Sequence, residues 1–152
     1  MVSISGDVVI ARPPEVVFDV LADERNEPAY NPRMLRVEKL TPGPIGAGTR
    51  FEAMLRSGIR TMPMTVEYTT VDRPWELVST STLPSARIVG RLTLERVPEG
   101  TRLWWSWDLR PVGWIRLLRP VLRVLGNRQE RRIWTSLKRQ LEAAPASEAA
   151  PV

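Results

Sequence analysis

Tyr30 and Tyr68 are the two side chains best suited to give a buried ligand a polar contact. They are the only tyrosines in the chain. Tyr30 stands between Pro28 and Pro32, in a segment too irregular for a long helix. Its phenol could orient a carbonyl or hydroxyl while staying neutral, or it could simply plug the end of a core. Tyr68 closes the alternating run Met62, Met64, Val66, Tyr68. Methionine adapts to irregular apolar surfaces, and tryptophan gives a large apolar wall with one N–H. Met62, Met64, Phe51, Trp105 and Trp107 therefore suit the wall of a ligand pocket, although plain core packing uses the same residue types.

What is missing narrows the chemistry further. The chain has no cysteine and no histidine. Thiolate nucleophiles, Ser-His-Asp arrangements and metal sites built on Cys or His are excluded. No closely spaced Asp/Glu cluster suggests a carboxylate metal site, so neither a metal nor another cofactor is expected. Glu52, Arg56, Glu67, Arg91 and Asp108 mostly share a strand face with Ser or Thr, which directs them to solvent. Tyr, Lys and Arg titrate far above neutrality and Asp and Glu far below it, so acid–base catalysis would need shifts of roughly two pH units or more. No catalytic set is assigned, and binding is the expected role.

The net charge of +5 is uneven. Arg116, Arg119, Arg123, Arg128, Arg131, Arg132, Lys138 and Arg139 crowd residues 114–141, opposed there only by Glu130. Such a helix could rest on anionic lipid headgroups, bind phosphate or carboxylate at a pocket rim, or present a solvated face. Basicity confined to one segment, with no recognition motif, argues against nucleic acid. The start of the chain lacks a basic stretch followed by an apolar one, so a cytoplasmic location is the default.

These residues need elements to hold them. Val2 to Ala11 reads as a strand, and Pro13-Pro14 opens a short helix to Ala22 carrying Val17, Phe18 and Leu21. A helical turn fits residues 23–32. Alternating runs at 35–40, 49–56, 60–71, 75–82, 87–97 and 101–110 predict strands joined by turns such as Ser57-Gly58 and Pro98-Glu99-Gly100. Ser79/Ser81 and Thr80/Thr82 lie on opposite faces of one of them. From Trp114 to Ala143 the period changes to helical, with Leu118, Leu122, Leu125, Ile133, Leu137 and Leu141 as the apolar stripe and a bend expected at Pro120 or Gly126. Residues 1–143 form one domain in this reading, and 144–152 a disordered tail. The fold class is α+β: a curved antiparallel sheet of about seven strands gripping a long C-terminal helix.

Four stretches also carry a family likeness: Asp23 to Met34, Thr41-Pro42-Gly43-Pro44 through Phe51, Glu99-Gly100-Thr101 through Trp105, and Leu137 to Glu142. In order and spacing the chain resembles the SRPBCC superfamily (Bet v 1-like or START-like), in particular its polyketide cyclase/dehydrase-like branch. The resemblance implies a helix-grip fold whose cavity takes lipids, sterols, polyketides or aromatic metabolites. It implies no single reaction and carries over no catalytic set. Phe51, Met62, Met64, Tyr68, Trp105, Trp107, Leu118 and Leu122 should then border a space of roughly a few hundred Å³, with Tyr30 at its mouth. Binding or carriage of a small hydrophobic molecule is the leading expectation. A cofactor-independent cyclase, dehydratase or aromatase and a peripheral lipid-exchange protein are the alternatives.

Overall fold

Alternation of apolar and polar side chains sets the architecture. In the computed structural model, which describes residues 2–111, 117 and 119–143, the order is β1 (Val2–Ile10), α1 (Pro14–Ala22), a 3₁₀ segment (Glu24–Ala29), β2 (Met34–Lys39), β3 (Arg50–Ser57), β4 (Arg60–Asp72), β5 (Glu76–Leu83), β6 (Ala86–Val97), β7 (Gly100–Pro111) and α2 (Arg119–Ala143). The strands form one seven-stranded sheet in the order β1-β7-β6-β5-β4-β3-β2, antiparallel throughout. Strands β2 to β7 are thus neighbours in the order of the chain, and β1 pairs with the last of them.

Directly opposed residues of antiparallel strands share a face. Phe51 opposes Val66, Ala53 opposes Met64, and Leu92 opposes Trp105, so one side of the sheet is mainly apolar. The other side carries the exposed Glu52, Arg56, Glu67 and Arg91. Ser79 opposes Tyr68 and Ser81 opposes Val66, which puts this serine pair, not Thr80 and Thr82, on the apolar side.

Helix α2 lies against this face and contacts β1. It buries Ile133, Trp134, Leu137 and Leu141, spaced for one side of a helix. The helix runs unbroken through Gly126, where a Cβ would lie 2.3 Å from Cδ1 of Ile4, so glycine permits the close approach. The stripe therefore passes through Gly126, and Leu125 is 57% exposed instead of buried. Its far end is pinned: Arg12 Nη1 donates to Leu141 O at 2.8 Å, Lys138 Nζ to Val9 O at 2.7 Å, and Ala11 N–H to Glu142 Oε2 at 2.8 Å. A side-chain donor on one of the last carbonyls satisfies a group that a helix end leaves free. The expected start at Trp114, Leu118, the side chain of Leu122 and the tail at 144–152 lie outside the described residues.

Two further glycines make room for indoles. A Cβ on Gly6 would lie 2.4 Å from the Trp105 ring, and one on Gly90 would lie 1.9 Å from the Trp107 ring. Each glycine directly opposes its tryptophan across the ladder, so the ring lies over a bare patch of backbone. Gly90→Ala should therefore evict Trp107 and cost about 1–3 kcal/mol, as overpacking usually does. Urea denaturation measures this, and a loss below about 0.5 kcal/mol would show that the ring is not seated there.

Candidate functional site

Indoles fill most of the interval between sheet and helix. Trp134 stacks with Trp105 and Trp107 at ring separations of 5.7 and 6.4 Å, and Tyr30 meets it at 6.3 Å. Among the described residues they leave a cavity of about 60 Å³. At roughly 10–15 Å³ per water it admits a few waters or one small head group. The glycine seats let Trp105 and Trp107 lie down into the concavity beside it. A wider depression of about 220 Å³ lies on the opposite face of the sheet, among Ser5, Arg91, Thr93, Trp104 and Ser106.

Three kinds of side chain line the inner cavity. Leu21, Leu92 and Ile133 are apolar; Tyr30, Trp107 and Trp134 are aromatic; Glu24, Glu27 and Glu130 are acidic. The 3₁₀ segment explains the first two glutamates, since residues three apart eclipse one another in that geometry. Asp23 starts the segment by accepting from Arg25 N–H at 3.1 Å, and Tyr30 ends it, its own N–H donating to Glu27 O at 3.0 Å. Glu27 is held by Asn31 Nδ2 at 2.9 Å, and Asn31 is itself buried. Glu130 comes from α2, one turn before Trp134, whose indole N–H donates to its Oε2 at 2.9 Å.

Burial dominates the electrostatics. It pushes Glu24 well above the usual carboxylate range, with the neighbouring Glu27 adding to the effect. Tyr68 Oη donates to Ala22 O at 2.6 Å and lies 3.2 Å from Glu24 Oε1. Burial also raises Glu130, to about 7, against the lowering influence of the Trp107 and Trp134 N–H groups beside it. The Trp107 N–H, although next to this carboxylate, completes no hydrogen bond of good geometry. Tyr30 is raised by burial and then by Glu27, Glu24 and Glu130. It is 4% exposed, and its hydroxyl, which makes no hydrogen bond among the described residues, lines the cavity.

The structure thus gathers only part of the sequence-predicted set around the cavity. Tyr30 and Trp107 line it. Phe51, Met64, Tyr68 and Trp105 belong to the packed core around it, and Met62 is half-buried. Leu118 and the Leu122 side chain lie outside the described residues. Sequence reasoning missed the three glutamates. Two signals were available: the three-residue spacing of Glu24 and Glu27, and the phase of Glu130 with Ile133, Trp134, Leu137 and Leu141. No group of three acidic side chains among the described residues is arranged to hold a metal ion, and no helix among them is long and apolar enough to cross a membrane.

A curved antiparallel sheet closed over a C-terminal helix, with an interior cavity between them, defines a helix-grip domain of the SRPBCC (Bet v 1-like or START-like) superfamily. The chain belongs to the family described as polyketide cyclase/dehydrase and lipid transport, whose model matches residues 1–142. Among solved structures it is similar to a START superfamily protein from Mycobacterium smegmatis (TM-score 0.80, 13% identity, 92% of this chain and 97% of that one). It is also similar to a protein from Thermus thermophilus (TM-score 0.78, 19% identity, 95% and 99%) and to the Zhui aromatase/cyclase from Streptomyces sp. R1128 (TM-score 0.72, 17% identity, 92% and 93%). At these identities the likeness is one of fold. No match was found among curated proteins.

Proposed function

We propose that the chain binds a small, largely apolar molecule by its one polar end, in the interval between sheet and α2. The observation that carries this is Tyr30: a buried side chain whose hydroxyl makes no hydrogen bond among the described residues, lining a cavity with Glu24, Glu27 and Glu130. A polar group that opens onto a cavity without a protein partner is poised to meet a ligand atom. The family's description, which includes lipid transport, supports the same role. Titration with apolar dyes and fatty acids, followed by tryptophan fluorescence, tests it. Saturable binding is expected, weakened in Tyr30→Phe by about 0.5–1.5 kcal/mol, the worth of one hydrogen bond. A flat response across the panel would end this reading.

A second reading, a cofactor-independent cyclase or dehydratase, is favoured by Glu130, whose pKa of about 7 suits a general acid or base. It requires turnover of a polyketide-like substrate that falls about 100-fold or more in Glu130→Gln, in the range of acid–base contributions. Contact with anionic membrane, the third expectation, finds support in exposed Leu117, Val121, Val124 and Leu125 beside exposed Arg123 and Arg128. Vesicles containing anionic lipid should then retain the protein, and Val121→Ser with Leu125→Ser should reduce retention at least about tenfold. Equal retention on neutral and anionic vesicles would remove membrane contact.

A further inference from the structure

We propose that the polar end recognised by the inner cavity is an organic cation, the protonated amine of an otherwise apolar molecule. This rests on the reading of the cavity as a ligand's polar-end site. Glu24, Glu27 and Glu130 all line the space, and among the described residues no Lys or Arg lines it. The positive charge that acts on Glu130 is that of Arg33, and its guanidinium is engaged elsewhere, with Nε donating to Arg56 O at 3.0 Å and Nη1 to Gln129 Oε1. The donors already on the carboxylates are few: Asn31 on Glu27, Trp134 on Glu130 and the shared Tyr68 hydroxyl on Glu24. Three acidic side chains therefore present more acceptor oxygens than the protein supplies with protons.

Tyr30 is the independent sign that something is received here. Its side chain is 4% exposed, and its hydroxyl, which makes no hydrogen bond among the described residues, can accept one N–H while the glutamates accept others. The three carboxylates are not set to ligate a metal ion, which leaves a larger cation as the better fit. A cavity of about 60 Å³ matches an ammonium head. Trp107 and Trp134 add aromatic surface of the kind that attracts organic cations.

Binding of a cation should favour the ionised glutamates. The groups facing Glu130 are Glu24, Glu27 and Tyr30 from the 3₁₀ segment and its end, Trp107 from β7, Trp134 from α2, and the charge of Arg33. Tyr30 stays protonated, so the carboxyls supply the pH response.

The test uses the whole chain and three probes of one length: hexylamine, hexanol and hexanoate. Affinities are read by tryptophan fluorescence and by calorimetry in two buffers of different ionisation heat. Hexylamine should bind at least about tenfold tighter than hexanol, the scale of a hydrogen bond to a charged group. Its affinity should rise about tenfold from about pH 6 to about pH 8, with protons released to the buffer. Glu130→Gln should collapse the amine-to-alcohol ratio towards one. Glu27→Gln, which retains the side-chain volume, is the second variant if the first fails to fold. Hexanol or hexanoate binding as tightly as hexylamine would overturn the cation proposal and leave the apolar-ligand reading standing. Equal losses for amine and alcohol in both variants would also overturn it, since that is what a purely structural role produces. No binding of any probe would overturn both.

Discussion

Trp134→Ala is expected to lower stability by about 3–5 kcal/mol, the range for removing a large aromatic from a core that cannot collapse. Trp134 is buried, stacks with Trp105 and Trp107, touches Tyr30, and donates its N–H to Glu130. Truncation removes the apolar contact and also strips a buried carboxylate of a donor, so two penalties fall together. The rings around it cannot slump into the gap, because Trp105 and Trp107 are seated on Gly6 and Gly90. Equilibrium urea unfolding is the measurement. Trp134→Phe should recover the packing but not the hydrogen bond, and should fall between the two. A loss under about 1 kcal/mol for the alanine variant would mean that the indole stack contributes little to the grip.

Glu130→Gln is expected to be more stable than the native chain above neutrality and equal to it in acid. The folded-state pKa of Glu130 is raised to about 7 from the ordinary 4.5. The folded chain therefore holds a proton that the unfolded chain has lost across that interval. Its contribution to stability is fully present below the unfolded value and is lost as pH rises through the folded one. At 1.36 kcal/mol per unit the full shift amounts to about 3 kcal/mol, and the partial exposure of the side chain reduces this to about 1–3 kcal/mol. Glu24, raised by burial and by Glu27, acts in the same direction. Unfolding curves for both proteins across about pH 4 to 9 give the answer. Parallel curves would contradict a buried, protonated Glu130. A site that weakens the fold at the pH where it is charged is a common mark of a site kept for binding or chemistry.

The sheet was legible because its strands are long and strictly alternating. Met62, Met64, Val66 and Tyr68 face one way and Thr61, Glu67 and Thr69 the other, as the pleat demands. The cavity was less legible, for three physical reasons. The 3₁₀ segment lies in a Pro-containing stretch that offers no strand or α-helical period, so the side chains of Glu24 and Glu27 had no face to be assigned to. Glu130 sits in a run of arginines and reads as their counter-charge, although its phase is that of Ile133 and Trp134. Following the helix through its leucines puts Leu125 inward, whereas the sheet side is held by Gly126 against Ile4. A pattern built on apolar residues passes over a stripe that includes a glycine and a carboxylate.

The pairing of β1 with β7 sets an order of events in synthesis. Val2 opposes Leu109 and Ile10 opposes Thr101, so β1, made before the other six strands, has no partner until nearly the whole sheet has left the ribosome. Strands β2 to β7 can join as successive neighbours while β1 waits. Glu24, Glu27 and Tyr30 emerge early, Trp107 late, and Glu130 and Trp134 later still. Long-range closure of this kind is slow relative to local pairing. The cavity is thus completed only when α2 docks on β1, and a nascent chain stalled before that helix carries half a site and an unpaired strand. Unpaired strands invite association with other chains. Synthesis of α2 and assembly of the binding site are therefore nearly the same event.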